Sequence, residues 1–189
     1  KIEERKPISR TANAIVRFGY RVSPIRILLG KPWDRFEWSF MPVSDWPQPV
    51  ENLVLGQVSG IAHDSRGMTY VFHRGDHPIL CFDNDGKLLR YWGDGLIGKA
   101  HGLRIDKQGD VWVTDVGRHV VHQFSPQGIL KLTLGTLDEP GTDTRHFDQP
   151  ADVAFGPRGE ILIADGYGNS RVVKFDSSGT FLKQWGSAG

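Results

Sequence analysis

The sequence has 189 residues, 39 % hydrophobic and 24 % charged, with 23 Lys/Arg against 22 Asp/Glu. That balance is globular and excludes a disordered chain, a collagen and a coiled coil. It leaves no electrostatic footprint for nucleic acid, so none is expected as a partner. The most apolar early stretch, Ala14 to Gly30, is interrupted by Arg17, Arg21 and Arg26. Those charges spoil it both as a membrane span and as a signal peptide. The chain opens at Lys1 rather than Met, which leaves an upstream secretory or periplasmic signal open. Cys81 is the single cysteine, so no internal disulfide forms and cysteine usage names no compartment.

In chain order, residues 1–35 read as a basic leader or linker. Residues 1–37 hold nine Lys/Arg and four Asp/Glu, and a solvated tail accounts for that excess without a partner. Residues 36–57 form a lead-in, in which Phe36-Glu-Trp-Ser-Phe40 alternates like a strand and is expected to close a ring against the last blade.

Residues 58–189 repeat themselves in three segments, 58–93, 100–135 and 150–186. Each begins with a short apolar strand around Ser59-Gly-Ile-Ala, His101-Gly-Leu-Arg-Ile or Ala151-Asp-Val-Ala-Phe. Each then turns on Asp64-Ser-Arg-Gly, Asp106-Lys-Gln-Gly or Gly156-Pro-Arg-Gly. A second strand follows, then a third ending in Phe82, Phe124 or Phe175 and a fourth ending before Gly93, Gly135 or Gly186. Four short strands per unit of about 40–45 residues make a propeller blade, so the fold predicted is all-β. Closed rings hold roughly four to eight blades. The expectation is therefore a fragment with about three blades of a larger ring, completed by further chain or by a second copy.

Blade topology places the residue before the first strand and the loop between the second and third strands on one face, around the axis. Counting back eight from each phenylalanine puts Arg74, Val116 and Tyr167 in that loop, and Ser59, His101 and Ala151 before the first strand. An arginine, a histidine and a tyrosine thus converge on one mouth. Imidazole is a common zinc ligand, yet one histidine is not a site, and on its own His101 reads first as a partly buried, hydrogen-bonded histidine at a strand start. Arg74 reads equally as a loop ion pair with Asp76. Tyr167 lies in a polar turn where a core tyrosine is not needed, and an exposed tyrosine beside an arginine can serve as a general base.

The repeats resemble NHL repeats. Three stretches resemble the peptidyl-α-hydroxyglycine α-amidating lyase family: Gln57-Val-Ser-Gly-Ile-Ala with Val71-Phe-His-Arg-Gly-Asp-His77; His101-Gly-Leu with Gly109-Asp-Val-Trp-Val-Thr-Asp-Val116; and His146-Phe-Asp-Gln-Pro-Ala-Asp-Val with Ala164-Asp-Gly-Tyr-Gly-Asn-Ser-Arg171. The resemblance covers about Trp46 to Gly186. It implies a six-bladed propeller with a channel zinc held by three histidines and a structural calcium. It implies His101 as one zinc ligand, Arg74 as an active-site arginine, Tyr167 as the catalytic tyrosine, and Ile61 and Leu103 as backbone-carbonyl ligands of calcium. Two zinc histidines, a second arginine and the calcium aspartate would then lie in later blades, so three blades alone are expected to be inactive. The resemblance also places a disulfide of the animal enzyme at the positions of Asp148 and Gly168, which lack cysteines here. The loop after His77 is shorter than in that enzyme.

The activity so implied is cleavage of a peptide or small molecule ending in α-hydroxyglycine into an amide and glyoxylate. Zinc would polarise the substrate hydroxyl, and Tyr167, kept as phenolate by zinc and Arg74, would take its proton. A non-catalytic NHL platform for protein, peptide or RNA is the competing reading, because fold does not fix function.

Overall fold

The computed structural model describes residues 46–187, so the Phe36–Phe40 segment and the basic leader lie outside the described residues. Backbone contacts divide the chain into Lys1–Pro49 and Val50–Gly189, and the fold below is that of the second unit.

Twelve strands follow one another. The first sheet holds β1 (Val58–His63), β2 (Thr69–His73), β3 (Ile79–Phe82) and β4 (Leu88–Trp92). The second holds β5 (Ala100–Ile105), β6 (Val111–Asp115), β7 (Val120–Phe124) and β8 (Leu130–Leu134). The third holds β9 (Asp152–Phe155), β10 (Ile161–Asp165), β11 (Arg171–Phe175) and β12 (Phe181–Trp185). In every sheet the strands pair antiparallel in chain order, and among the described residues there is no helix. The all-β reading holds, and the register repeats with it: Phe82 faces Thr69, Phe124 faces Val111 and Phe175 faces Ile161.

The turns explain why the strands stop where they do. Asp106 Oδ1 accepts from the backbone N–H of Gln108 and of Asp110, both at 2.9 Å, and Asp176 Oδ1 does the same for Ser178 and Thr180. The aspartate fixes the turn and glycine closes it: Gly67, Gly109 and Gly179 sit at φ +90, +86 and +87°, a region that side chains with a Cβ rarely adopt.

Alternation along the strands builds two apolar layers. Between the first and second sheets lie Tyr70, Phe72, Ile79 and Cys81 against Leu103, Val111, Val113 and Phe124. Between the second and third lie Trp112, Val121 and Leu134 against Val153, Ile161, Ile163, Val173 and Phe175. Successive side chains of β6 point to opposite faces, so Val111 and Val113 serve one layer and Trp112 the other, and every residue of β6 is buried. Strand β10 instead alternates buried and half-buried, as a sheet packed on one side does.

The structure corrects one detail of the sequence register. Taking the last backbone-paired residues as His73 with Pro78, Asp115 with Val120, and Asp165 with Arg171, the loops between second and third strands contain four, four and five residues. Gly166, not Tyr167, is the positional counterpart of Arg74 and Val116. Counting back from the phenylalanines misses this because the extra residue lies inside the counted interval. Tyr167 therefore rides on the longer loop and stands further out.

Candidate functional site

The inner strands and these loops bring the polar outliers to one end of the sheets. Strand pairing sets Ile61 opposite Val71, Leu103 opposite Val113 and Val153 opposite Ile163, so Ser59, His101 and Ala151 occupy equivalent positions two residues earlier. The β5 register shifts between Ala100 and Leu103, which frees His101 from regular pairing.

His101 is fixed at both ring nitrogens. Nδ1 lies 2.8 Å from the Ala151 carbonyl oxygen. A carbonyl only accepts, so Nδ1 carries the proton and Nε2 keeps its lone pair. That Nε2 lies 3.0 Å from the Tyr167 hydroxyl, which donates to it, with the rings edge to face at 75°. The buried Thr114 hydroxyl shares the Ala151 carbonyl at 3.1 Å and accepts from Gly102 N–H at 2.7 Å. Tyr167 itself is 64 % exposed.

Arg74 binds beside the histidine rather than to it. Its Nε donates to the Ala100 carbonyl at 3.1 Å, one residue before His101, and its Nη1 donates to Gln57 Oε1 at 3.1 Å. The guanidinium's hydrogen bonds thus go to Ala100 and Gln57 rather than to Asp76 or the Tyr167 phenol. Arg74, His101 and Tyr167 come from three different sheets or their loops, and the described structure puts the last two in direct contact.

The loop carrying Tyr167 is tied down by an assembly that sequence reasoning missed. Asp165 is fully buried and accepts from Asp148 N–H at 2.9 Å, Asn169 Nδ2 at 2.8 Å and Arg171 Nε at 2.8 Å. Arg171 also donates to the carbonyls of His146, at 2.6 Å, and of Thr142, and to Gln184 Oε1 at 2.7 Å. Asn169 Nδ2 donates to the Gly141 carbonyl at 2.8 Å. A buried charge is stable only when paired and hydrogen-bonded, and this pair is both. Asp115 does the same work one sheet earlier, accepting from Gly98, Lys99, Gly117 and Arg118 N–H at 2.6 to 3.1 Å. In the first sheet the equivalent residue is His73, whose Nδ1 accepts from Gly56 N–H at 3.0 Å and whose Nε2–H donates to the His77 carbonyl at 3.0 Å. The shared position of His73, Asp115 and Asp165 in the repeat was the available signal. Burial holds the His73 ring below the usual histidine range, because the charged form loses its water.

His101 fits one zinc ligand: Nδ1 is anchored to a carbonyl and Nε2 presents a lone pair. A catalytic zinc takes three protein ligands. Among the described residues no group of three His, Cys, Asp or Glu comes together to hold a metal. For calcium, the Ile61 and Leu103 carbonyls would give two oxygens, from β1 and β5, whereas calcium takes six to eight. The Leu103 carbonyl accepts from Arg104 Nη1 at 3.2 Å, and the same guanidinium pairs with Asp152 at 2.6 Å. The described residues thus contain one fitting zinc ligand and no complete metal set.

With fold and geometry in hand, the chain is placed by comparison. Residues 98–124 and 147–175 match the NHL repeat family. Solved neighbours are propellers: a streptogramin B lyase superposes with TM-score 0.59 at 18 % identity, over 73 % of this chain and 43 % of that one. The virginiamycin B lyase from Staphylococcus aureus gives 0.56 at 23 %, over 70 % and 42 %. At such identities these show the fold alone. The three sheets are therefore blades of a β-propeller, and the NHL matches fall on the second and third of them.

Sequence relatives are more specific. The chain is 41 % identical over 171 residues to the peptidylglycine alpha-amidating monooxygenase of Rattus norvegicus, covering 75 % of this chain and 17 % of that protein. It is 37 % identical over 158 residues to a probable peptidyl-alpha-hydroxyglycine alpha-amidating lyase of Caenorhabditis elegans, covering 71 % and 45 %. It is 32 % identical over 167 residues to lyase 2 of Drosophila melanogaster, covering 75 % and 41 %. The chain carries NHL repeats and is homologous to the peptidyl-alpha-hydroxyglycine alpha-amidating lyases, and it spans less than half the length of these relatives. Among the described residues no helix is long and apolar enough to cross a membrane.

Proposed function

We propose that this chain carries part of the active site of a carbon–nitrogen lyase acting on a peptide or small molecule that ends in α-hydroxyglycine. The observation that carries the reading is the contact between His101 Nε2 and the Tyr167 hydroxyl at 3.0 Å, made by an inner strand and a loop of a propeller homologous to proteins named as such lyases.

The chemistry asked of these residues is proton transfer and charge placement. Tyr167, as phenolate, takes the proton of the substrate hydroxyl. The C–N bond then breaks, its electron pair leaves with the amide nitrogen, which takes the proton back from Tyr167, and the hydroxyl carbon becomes the carbonyl of glyoxylate. Arg74, which donates to the Ala100 carbonyl one residue before His101, would bind the substrate carboxylate. His101 would be one of three histidines on a zinc, its Nε2 lone pair then going to the metal in place of the Tyr167 hydroxyl, and the zinc would lower the pKa of the bound substrate hydroxyl. The other ligands, and the remainder of a structural calcium site begun by the Ile61 and Leu103 carbonyls, would come from chain outside these three blades. Three blades alone are expected to be inactive, and a ring of six is the expected whole.

The test is glyoxylate release by the full-length protein and its Tyr167→Phe variant. Removing the general base should lower kcat by about 100-fold or more with binding kept. Unchanged glyoxylate release by Tyr167→Phe would remove the assignment.

A further inference from the structure

A cavity of about 270 Å³ opens next to the site, between the first two blades. Its walls include Pro78, Ile97, Gly75 and Gly98, and its two cations are Arg74 and Lys99. We propose that this cavity is a carboxylate subsite in which Lys99 acts with Arg74, a role that rests on the lyase reading above. Ala100, which also lines the cavity, directly precedes His101, so a carboxylate held there lies beside the proposed reacting centre.

The repeat supplies an internal control. Lys99 stands two residues before His101, the position held by Gln57 in the first blade and Gln149 in the third. The equivalence is structural: Arg74 N–H donates to the Gln57 carbonyl at 3.0 Å and Val116 N–H to the Lys99 carbonyl at 3.1 Å. Across the next blade junction the counterparts of Arg74 and Lys99 are Val116 and Gln149, which are uncharged. Two cations at one junction are therefore a departure from the repeat, not part of its architecture.

Both residues line the cavity and both carry positive charge. Asp115 accepts from Lys99 N–H at 2.8 Å and so fixes where the lysine leaves the backbone. The lysine side chain is exposed, and among the described residues no carboxylate pairs with its Nζ. Arg74 uses two of its five N–H groups on Ala100 and Gln57, which orients the guanidinium and leaves the others for a ligand. A carboxylate between a guanidinium and an ammonium forms charge-assisted hydrogen bonds, about twice as strong as neutral ones. It has two sources in the proposed substrate: the hydroxyglycine carboxylate itself, or an acidic side chain on the residue before it.

The experiment uses the full-length protein, its Lys99→Met and Lys99→Arg variants, and two substrates, N-acetyl-Gln-α-hydroxyglycine and N-acetyl-Glu-α-hydroxyglycine. Lys99→Met should raise KM about tenfold with kcat little changed, and Lys99→Arg should restore KM. A rise on both substrates supports the subsite and assigns it to the hydroxyglycine carboxylate. A rise on the Glu substrate alone supports it and assigns it to the preceding side chain. No rise on either substrate overturns the subsite while leaving the lyase reading intact. If neither substrate is cleaved by any form, the lyase reading fails and the subsite is judged by titration calorimetry with glyoxylate and N-acetylglutamate α-amide. About tenfold weaker binding of either to Lys99→Met then supports it, and equal binding overturns it.

Discussion

His101 Nε2 and the Tyr167 hydroxyl lie 3.0 Å apart although 66 positions separate them in the chain. The contact depends on two anchors of different strength. On the histidine side, Thr114 and the Ala151 carbonyl set the ring. On the tyrosine side, Asp165 and Arg171 set the loop.

The histidine anchor predicts a contrast between two small changes. Tyr167→Phe removes a hydroxyl from an exposed ring and should alter unfolding free energy by less than about 0.5 kcal/mol. Thr114→Val leaves the half-buried Gly102 N–H, now bonded at 2.7 Å to a fully buried hydroxyl, without its acceptor and should cost about 1–2 kcal/mol. Urea unfolding of the two variants measures the difference.

The loop anchor predicts a larger loss. Asp165→Ala strands the Arg171 guanidinium, whose side chain is 6 % exposed, and should destabilise the protein by about 3–5 kcal/mol. Hydrogen exchange should show faster opening at 141–148 and 166–170, the two segments this pair joins.

The same loops predict a crosslink. Gly168 N–H donates to the Asp148 carbonyl at 2.9 Å, and a Cβ built on Gly168 would meet the Asp148 side chain at 2.0 Å. The two positions adjoin, so the paired variant Asp148→Cys with Gly168→Cys should oxidise to a disulfide after a small backbone shift. Thiol titration should then find only the buried Cys81, and stability should rise by about 2–4 kcal/mol, less the loss of the His119–Asp148 contact at 3.1 Å.

Acid sensitivity follows from two buried imidazoles. Burial lowers the pKa of His73 and of His122 below the ordinary 6.5. A depressed histidine means that the unfolded chain binds a proton before the folded one does. No penalty exists well above pH 6.5; stability falls as pH drops below that value and levels off below the folded pKa. Melting temperature measured between pH 7.5 and 5 should decline accordingly, and His122→Val should flatten part of the slope. His122 is a suitable target because its Nε2 is buried without a hydrogen-bond partner.

The blades were legible because alternation and glycine turns are local signals, repeated three times at similar spacing. His101 and Arg74 were legible because the repeat register carries a residue to a known end of the sheet. Tyr167 was located with an offset of one, since the extra residue of its loop has no hydrophobic signature. The Asp165–Arg171 assembly was not legible, because half of Arg171's partners are backbone carbonyls, at Thr142 and His146, and any residue type presents a carbonyl. Likewise Lys99 has no motif of its own. It becomes conspicuous only when the strand pairing shows that Gln57 and Gln149 hold the same place.

The most direct test of the lyase reading is product analysis. Full-length protein incubated with an N-acyl peptide ending in α-hydroxyglycine should release glyoxylate and the peptide amide in equal amounts, faster than the spontaneous reaction, and lose that activity with His101→Ala. A rate equal to the protein-free control, with the protein folded and zinc supplied, would contradict it.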